Sequence, residues 1–123
     1  MKREKEIAVE FLRMVASGDV ENAFSLYVST NLKHHNPYFK KDISSLKTGM
    51  QEDANQNPQK ELIILRAMAD EEGVAVHSLI KQNPNDSGYI LAHFFKFQRD
   101  KISELWDLAQ EIPKEIINEN GIV

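Results

Sequence analysis

The chain predicts an α+β fold: three helices at the N-terminal side, then a curved antiparallel sheet that closes over them around a central pocket. Three observations lead there. Up to about residue 54, apolar residues recur at helical spacing. After Pro58 the period shortens to the alternation of strands, in four runs. The connections between those runs are turn-rich: Asp70-Glu71-Glu72-Gly73, Asn83 to Gly88, and Arg99-Asp100. Helices segregated from a meander of strands mean α+β, and a curved sheet wrapped over helices leaves a concave space of the kind that takes small molecules.

Each element follows from local chemistry. Over 3–16, Ile7, Phe11, Met14 and Val15 form one stripe, with Arg3, Glu6, Glu10 and Arg13 opposite. Ser17-Gly18 ends this helix, glycine supplying the left-handed cap. Asp19 is placed to cap a second helix with its carboxylate, and Val20, Ala23, Phe24 and Tyr27 give that helix its buried stripe. Ser29 to Lys41 reads as irregular, since Asn36-Pro37 breaks any helix. Asp42 caps a third helix carrying Ile43, Leu46, Met50 and Ala54 on one face, stopped at Asn55 to Pro58. Strands are expected over 61–69, 74–82, 89–98 and 101–110, although Leu62 to Leu65 also suits a buried helical turn. Pro113 to Val123 reads as a short helix or a tail.

The 123 residues suit a single domain, 1–123. A net charge of −4 argues against nucleic acid as a main partner, because phosphate binding needs a basic face. The charged start, Lys2 to Glu6, excludes a signal peptide from the expectation, and no apolar run suits a membrane span. A cytoplasmic location is the default. With no cysteine, disulfides, thiolate metal sites and a cysteine nucleophile all fall away. Neither a serine-elbow pattern nor a phosphate or dinucleotide glycine loop is present.

The polar groups inside apolar runs are what needs explaining. Four histidines occur: His34, His35, His77 and His93. A histidine on an apolar strand is either a hydrogen-bonded core residue or a proton-transfer group near neutral pH. If the last hairpin turns on Arg99-Asp100, cross-strand partners sum to 199. His93 then faces Trp106, with Tyr89, Leu91, Phe95, Glu104 and Leu108 on the same face, and Leu105 and Asp107 on the other. A bulge would change this. Three imidazoles, His35, His77 and His93, could hold zinc, but without a tight motif the expectation is no metal. The aromatic cluster Phe94, Phe95, Phe97 and Trp106 reads as core or as a ligand wall.

Five segments together resemble SnoaL-like proteins of the nuclear transport factor 2-like (cystatin-like) superfamily. They are His35-Asn36-Pro37 after a helical hairpin, Gly73 to His77, Ala92 to Lys96, Lys101-Ile-Ser-Glu-Leu-Trp-Asp107, and the tail from Gln110 to Gly121. The resemblance implies a cone-shaped fold with a deep apolar pocket, a homodimer through the outer face of the sheet, and cofactor-free acid/base chemistry of the aldol-cyclisation or isomerisation kind on an apolar small molecule. The chain departs from the family pattern where His93 stands in place of an acidic residue, Leu105 in place of a histidine, and Asp100 in place of a turn glycine. The expected catalytic groups are His93 and His77 as a proton-transfer pair, with His35 as a donor at the mouth. Trp106, Tyr38, Glu104, Phe95 and Asp107 are the expected substrate contacts. The alternative is a non-catalytic ligand-binding or dimerisation module of the same fold.

Overall fold

The computed structural model describes residues 2–123. Helices α1 (Lys2–Ala16) and α2 (Val20–Tyr27) form the expected hairpin. Its joint is a paired turn: the Asp19 N–H donates to the Met14 carbonyl at 2.9 Å and the Gly18 N–H to that of Val15 at 3.1 Å. Gly18 sits there at φ 90°, where a side chain would be strained. Asp19 occupies the N-cap of α2, but its carboxylate accepts from Asn22 Nδ2 at 2.8 Å and makes no side-chain bond to the backbone. At α3 (Ile43–Gln56) the cap is as expected, with Asp42 Oδ2 accepting from the Ser45 N–H at 2.8 Å.

Five strands follow the order β1-β5-β4-β3-β2 across the sheet. β2 (Glu61–Asp70), β3 (Gly73–Lys81), β4 (Tyr89–Gln98) and β5 (Lys101–Glu111) are the antiparallel meander. β1 (Val28–His34) lies within a segment expected to be irregular, and it pairs parallel to β5, which makes the sheet mixed. Its alternation is masked by a register break between Val28 and Lys33 and by the polar run Ser29-Thr30-Asn31. Residues 112–123 form no helix; the Ile112 N–H ties the start of this tail to the Gly88 carbonyl at 3.0 Å.

The last hairpin does turn on Arg99-Asp100, both at positive φ (53° and 62°), as a tight two-residue turn requires. Next to the turn, Gln98 pairs with Lys101 and Phe97 with Ile102. Beyond it, Lys96 pairs with Glu104, so Ser103 is an extra residue in β5. This bulge moves the pairing sum from 199 to 200. His93 faces Asp107, and Phe94 faces Trp106. The expected His93–Trp106 pairing is therefore corrected, because one added residue turns every later side chain of β5 to the opposite face.

The inner face carries the core. Val74, Val76, Phe95, Ile102 and Leu105 pack with Ile7, Phe11, Phe24 and Leu46. Phe11 is fully buried and meets Phe24 edge-on at 5.5 Å and Phe95 at 6.3 Å between ring centroids. This plug fills one end of the concave sheet. Towards the other end the core gives way to a cavity.

Candidate functional site

The cavity has a volume of about 660 Å³, within the range usual for small-molecule sites. Its walls are Leu91, Tyr89 and Ile80 from the sheet, Gly49, Met50 and Asp53 from α3, and Pro37, Tyr38 and Phe39 from the loop after β1. The polar set is small: Asn36, Gln82, His93, Asp107, the hydroxyls of Tyr38 and Tyr89 and, on the helix side, Asp53.

Strand parity explains how those groups meet. His93 lies opposite Val76 on one side and Asp107 on the other, all on the inner face. Directly opposed residues have Cβ atoms about 5 Å apart. On β1, His34 pairs with Leu105 in parallel register, and the His35 N–H continues the ladder to the Leu105 carbonyl at 3.0 Å. Two residues past His34, Asn36 comes alongside Asp107, and its Nδ2 donates to Asp107 Oδ2 at 2.9 Å. Asn36 Oδ1 accepts from the Tyr38 N–H at 2.9 Å, so both ends of the amide are fixed.

His34 is structural. Its Nδ1 accepts the Asn36 N–H at 3.2 Å, which leaves Nε2–H to donate to the Lys40 carbonyl at 2.9 Å. The ring is buried and ties the loop 35–40 to the sheet.

Half-buried His93 has a different environment. Its Nδ1 is shut off from solvent and has no hydrogen-bond partner among the described residues. Burial pushes the imidazole down to about 4, against the opposing pull of the Asp107 charge. The ring is therefore neutral at pH 7. An orphaned buried N–H is the rarer kind of unpaired group, which favours the lone pair on Nδ1 and the proton on Nε2. The Phe95 ring lies stacked at 6.1 Å, forming the floor beside it.

Of the residues expected at the site, His93, Asp107 and Tyr38 line the cavity. Phe95 is in the core beneath it. His77, Glu104, Trp106 and His35 are on the other side of the sheet. His77 pairs with Ala92 and Arg66, out of phase with the inward-facing Val76 and Ser78, so it does not meet His93. Glu104 and Trp106 turn outwards because of the Ser103 bulge. His35 faces away from Asn36 because successive residues of an extended chain point to opposite sides. It stacks on Trp106 at 4.9 Å and donates from Nε2 to Glu104 Oε2 at 2.7 Å. That bond, with help from the charges of Lys33 and Lys96, holds the Glu104 carboxyl below its usual range. The three imidazoles considered for zinc are thus split between two faces.

Asn36, Gln82 and the Phe39–Gly49 contact were not picked out in the sequence. A Cβ on Gly49 would lie 2.1 Å from Phe39 Cε1, so the aromatic ring rests directly on the α3 backbone. A glycine within a helical pattern is the signal that could have found it. For Asn36 the signal was its place between His35 and Pro37.

No family model matches the chain, and no curated protein matches it in sequence. Solved structures do match. A ketosteroid isomerase-like protein from Kribbella flavida superposes with a TM-score of 0.75 at 13% identity, over 100% of this chain and 90% of that one. A SnoaL-like polyketide cyclase from Agrobacterium tumefaciens gives 0.66 at 15% identity, over 85% and 88%. A nuclear transport factor 2-like protein of unknown function from Cytophaga hutchinsonii gives 0.70 at 10% identity, over 87% and 89%. The helices, the sheet order and these superpositions agree: the chain has the nuclear transport factor 2-like, cystatin-type fold.

Proposed function

We propose that this chain is a cofactor-free small-molecule enzyme in which Asp107 is the base and neutral His93 the hydrogen-bond donor. The observation that carries the reading is the cross-strand His93–Asp107 pair inside a largely apolar cavity, with Asn36 holding the carboxylate. This replaces the expected His93–His77 pair, since those side chains are on opposite faces. Asp107 Oδ1 takes a proton from a carbon next to a carbonyl, and the electron pair moves onto the carbonyl oxygen. His93 Nε2–H stabilises the resulting enolate, as a neutral imidazole can. Returning the proton to another carbon is an isomerisation. Attack of the enolate carbon on a second carbonyl of the same molecule closes a ring as that C=O π bond breaks, and the alkoxide so formed takes the proton back from the Asp107 carboxyl. Asn36 is a positioning residue.

Exchange of α-protons in D₂O on cyclic and aromatic ketones, followed by NMR, tests this without knowledge of the product. Positioned acid/base groups are worth roughly 10²–10⁴-fold, so Asp107→Asn should lower exchange at least about a hundredfold. Equal exchange by the wild type and by both Asp107→Asn and His93→Ala would refute the assignment. The second reading is a non-catalytic binding module, favoured by the absence of a second proton relay among the cavity groups. Ligands that bind without any exchange would support it.

The outer face of the sheet supports a further part of the proposal, a homodimer. Met68, Phe94 and Leu108 are 61%, 44% and 56% exposed there, beside Trp106 with Lys96 Nζ 5.9 Å from its ring centroid. An apolar sheet face of this kind is a typical interaction surface. Phe94→Glu should convert a dimer to a monomer in sedimentation velocity. A wild type that is monomeric at all concentrations would refute it.

A further inference from the structure

Two buried polar atoms on the inner face of the sheet lack a hydrogen-bond partner among the described residues: His93 Nδ1 and Ser78 Oγ. A third such atom, Gln82 Oε1, belongs to the far end of the cavity, about 13 Å along the chain from Ser78 at the usual rise per residue. Ser78 is fully buried. Its cross-strand neighbours are apolar, Ile64 on β2 and Leu91 on β4, and Val76 and Ile80 flank it on the same face of β3. A hydroxyl so enclosed is costly to leave unpaired, a cost that alanine at the same place would not carry.

The register brings the two atoms together. Val76 pairs with His93 and Ser78 with Leu91, so Ser78 and His93 are diagonal neighbours on one face. Such neighbours lie about 7–8 Å apart, somewhat less between Cβ atoms. From those Cβ atoms Oγ and Nδ1 stop short of a direct bond. One water molecule with two ordinary hydrogen bonds spans about 4.5–5.5 Å, and a buried water is the usual partner of polar groups left over in this way.

The balance of hydrogens sets the direction of the bridge. Ser78 Oγ–H donates to the water, and the water donates to the Nδ1 lone pair, which leaves one water hydrogen over. With the proton on Nδ1 instead, that N–H donates to the water and two hydrogens are left over. Unpaired buried donors are the rarer kind, so the bridge favours the lone pair on Nδ1.

We infer that Ser78 is a positioning residue, which through one buried water holds His93 Nδ1 as an acceptor and so keeps the ring proton on Nε2. The inference rests on His93 being the donor of the cavity, and it adds what fixes that donor. The bond made at one ring nitrogen decides the state of the other. Ser78 touches no substrate; it acts through the ring.

Nitrogen-15 NMR of the His93 ring, thermal melts and α-proton exchange in D₂O, each on wild type and Ser78→Ala, test this. In the wild type Nδ1 should read as a hydrogen-bonded lone pair. In Ser78→Ala the Nδ1 resonance should shift and the two tautomers mix, and the turnover of exchange should fall roughly tenfold at unchanged KM. The melting temperature should fall by a few degrees. In a His93→Leu background the same substitution should leave it level or raise it, since the hydroxyl then has no ring to hold. An Nδ1–H in the wild type overturns the inference. So does a Ser78→Ala variant that keeps the wild-type ring signals, or one that melts no lower than the wild type. A wild type that exchanges no α-protons removes the enzyme reading alone, and the ring signals and melts then decide the bridge by themselves.

Discussion

A neutral, buried His93 makes the stability of the fold depend on pH in a defined direction. In the unfolded chain this imidazole titrates near its ordinary 6.5, and in the fold it is held down to about 4. Between those values the unfolded chain binds the extra proton and the folded one does not, so acidification favours unfolding. The contribution is complete above pH 6.5 and is lost as the pH falls towards 4. At 1.4 kcal/mol per unit the full difference is about 3 kcal/mol. At pH 5 the share already lost would be about 2 kcal/mol, which partial access to the cavity lowers to about 1–2 kcal/mol. The assay is urea unfolding of wild type and His93→Gln at pH 7.5, 6.5, 5.5 and 5. Glutamine keeps a polar group and cannot charge, and subtracting the two curves cancels the other titrating groups. The wild type should lose about 1–2 kcal/mol more than the variant between pH 7.5 and 5. Parallel curves, or a wild type that gains on the variant at pH 5, would refute a buried neutral His93.

Three other substitutions probe the frame around the pair. Asn36→Ala removes a hydrogen bond to a charged group and should cost about 1–2 kcal/mol in the same unfolding assay, with weaker ligand binding by calorimetry. Deleting Ser103 removes the bulge but leaves Ile102 opposite Phe97 and Glu104 opposite Lys96, so Leu105 and Asp107 keep the inner face; the melting temperature should change by only a few degrees and ligand binding should survive, whereas a collapse of both would contradict this register. Gly49→Ala gains up to about 1 kcal/mol of helix propensity but displaces the Phe39 ring, so ligand affinity should change more than the melting temperature. An unchanged affinity would show that Phe39 is not part of the mouth.

Much of the frame was legible because it is written in local patterns. Gly18, Asp42 and the Arg99-Asp100 turn each declare their role through backbone geometry, and the stripe on α1 shows Ile7 and Phe11 inside. What failed was parity. Ser103 leaves no sign in the sequence that it is the extra residue, yet it decides whether Asp107 or Trp106 joins His93. The same kind of break hid β1, where a shift between Val28 and Lys33 erases the alternation. With β1 missing, nothing placed Asn36 beside Asp107 or turned His35 to the outer face. His77 needed the register of β3 against β4, which the six-residue connection does not set. Of the expected residues, His93, Asp107 and Tyr38 line the cavity, and which residues join them depended on long-range pairing that no local signal encodes.

Nitrogen-15 NMR of the four histidine rings tests the central claim most directly, because it reads the charge and tautomer of each imidazole. His93 should stay neutral down to about pH 4, protonated on Nε2, and its shift should move when a cavity ligand is added, while the His77 shift stays put. A His93 ring that titrates at 6.5 or above, or that ignores a bound ligand, would contradict it.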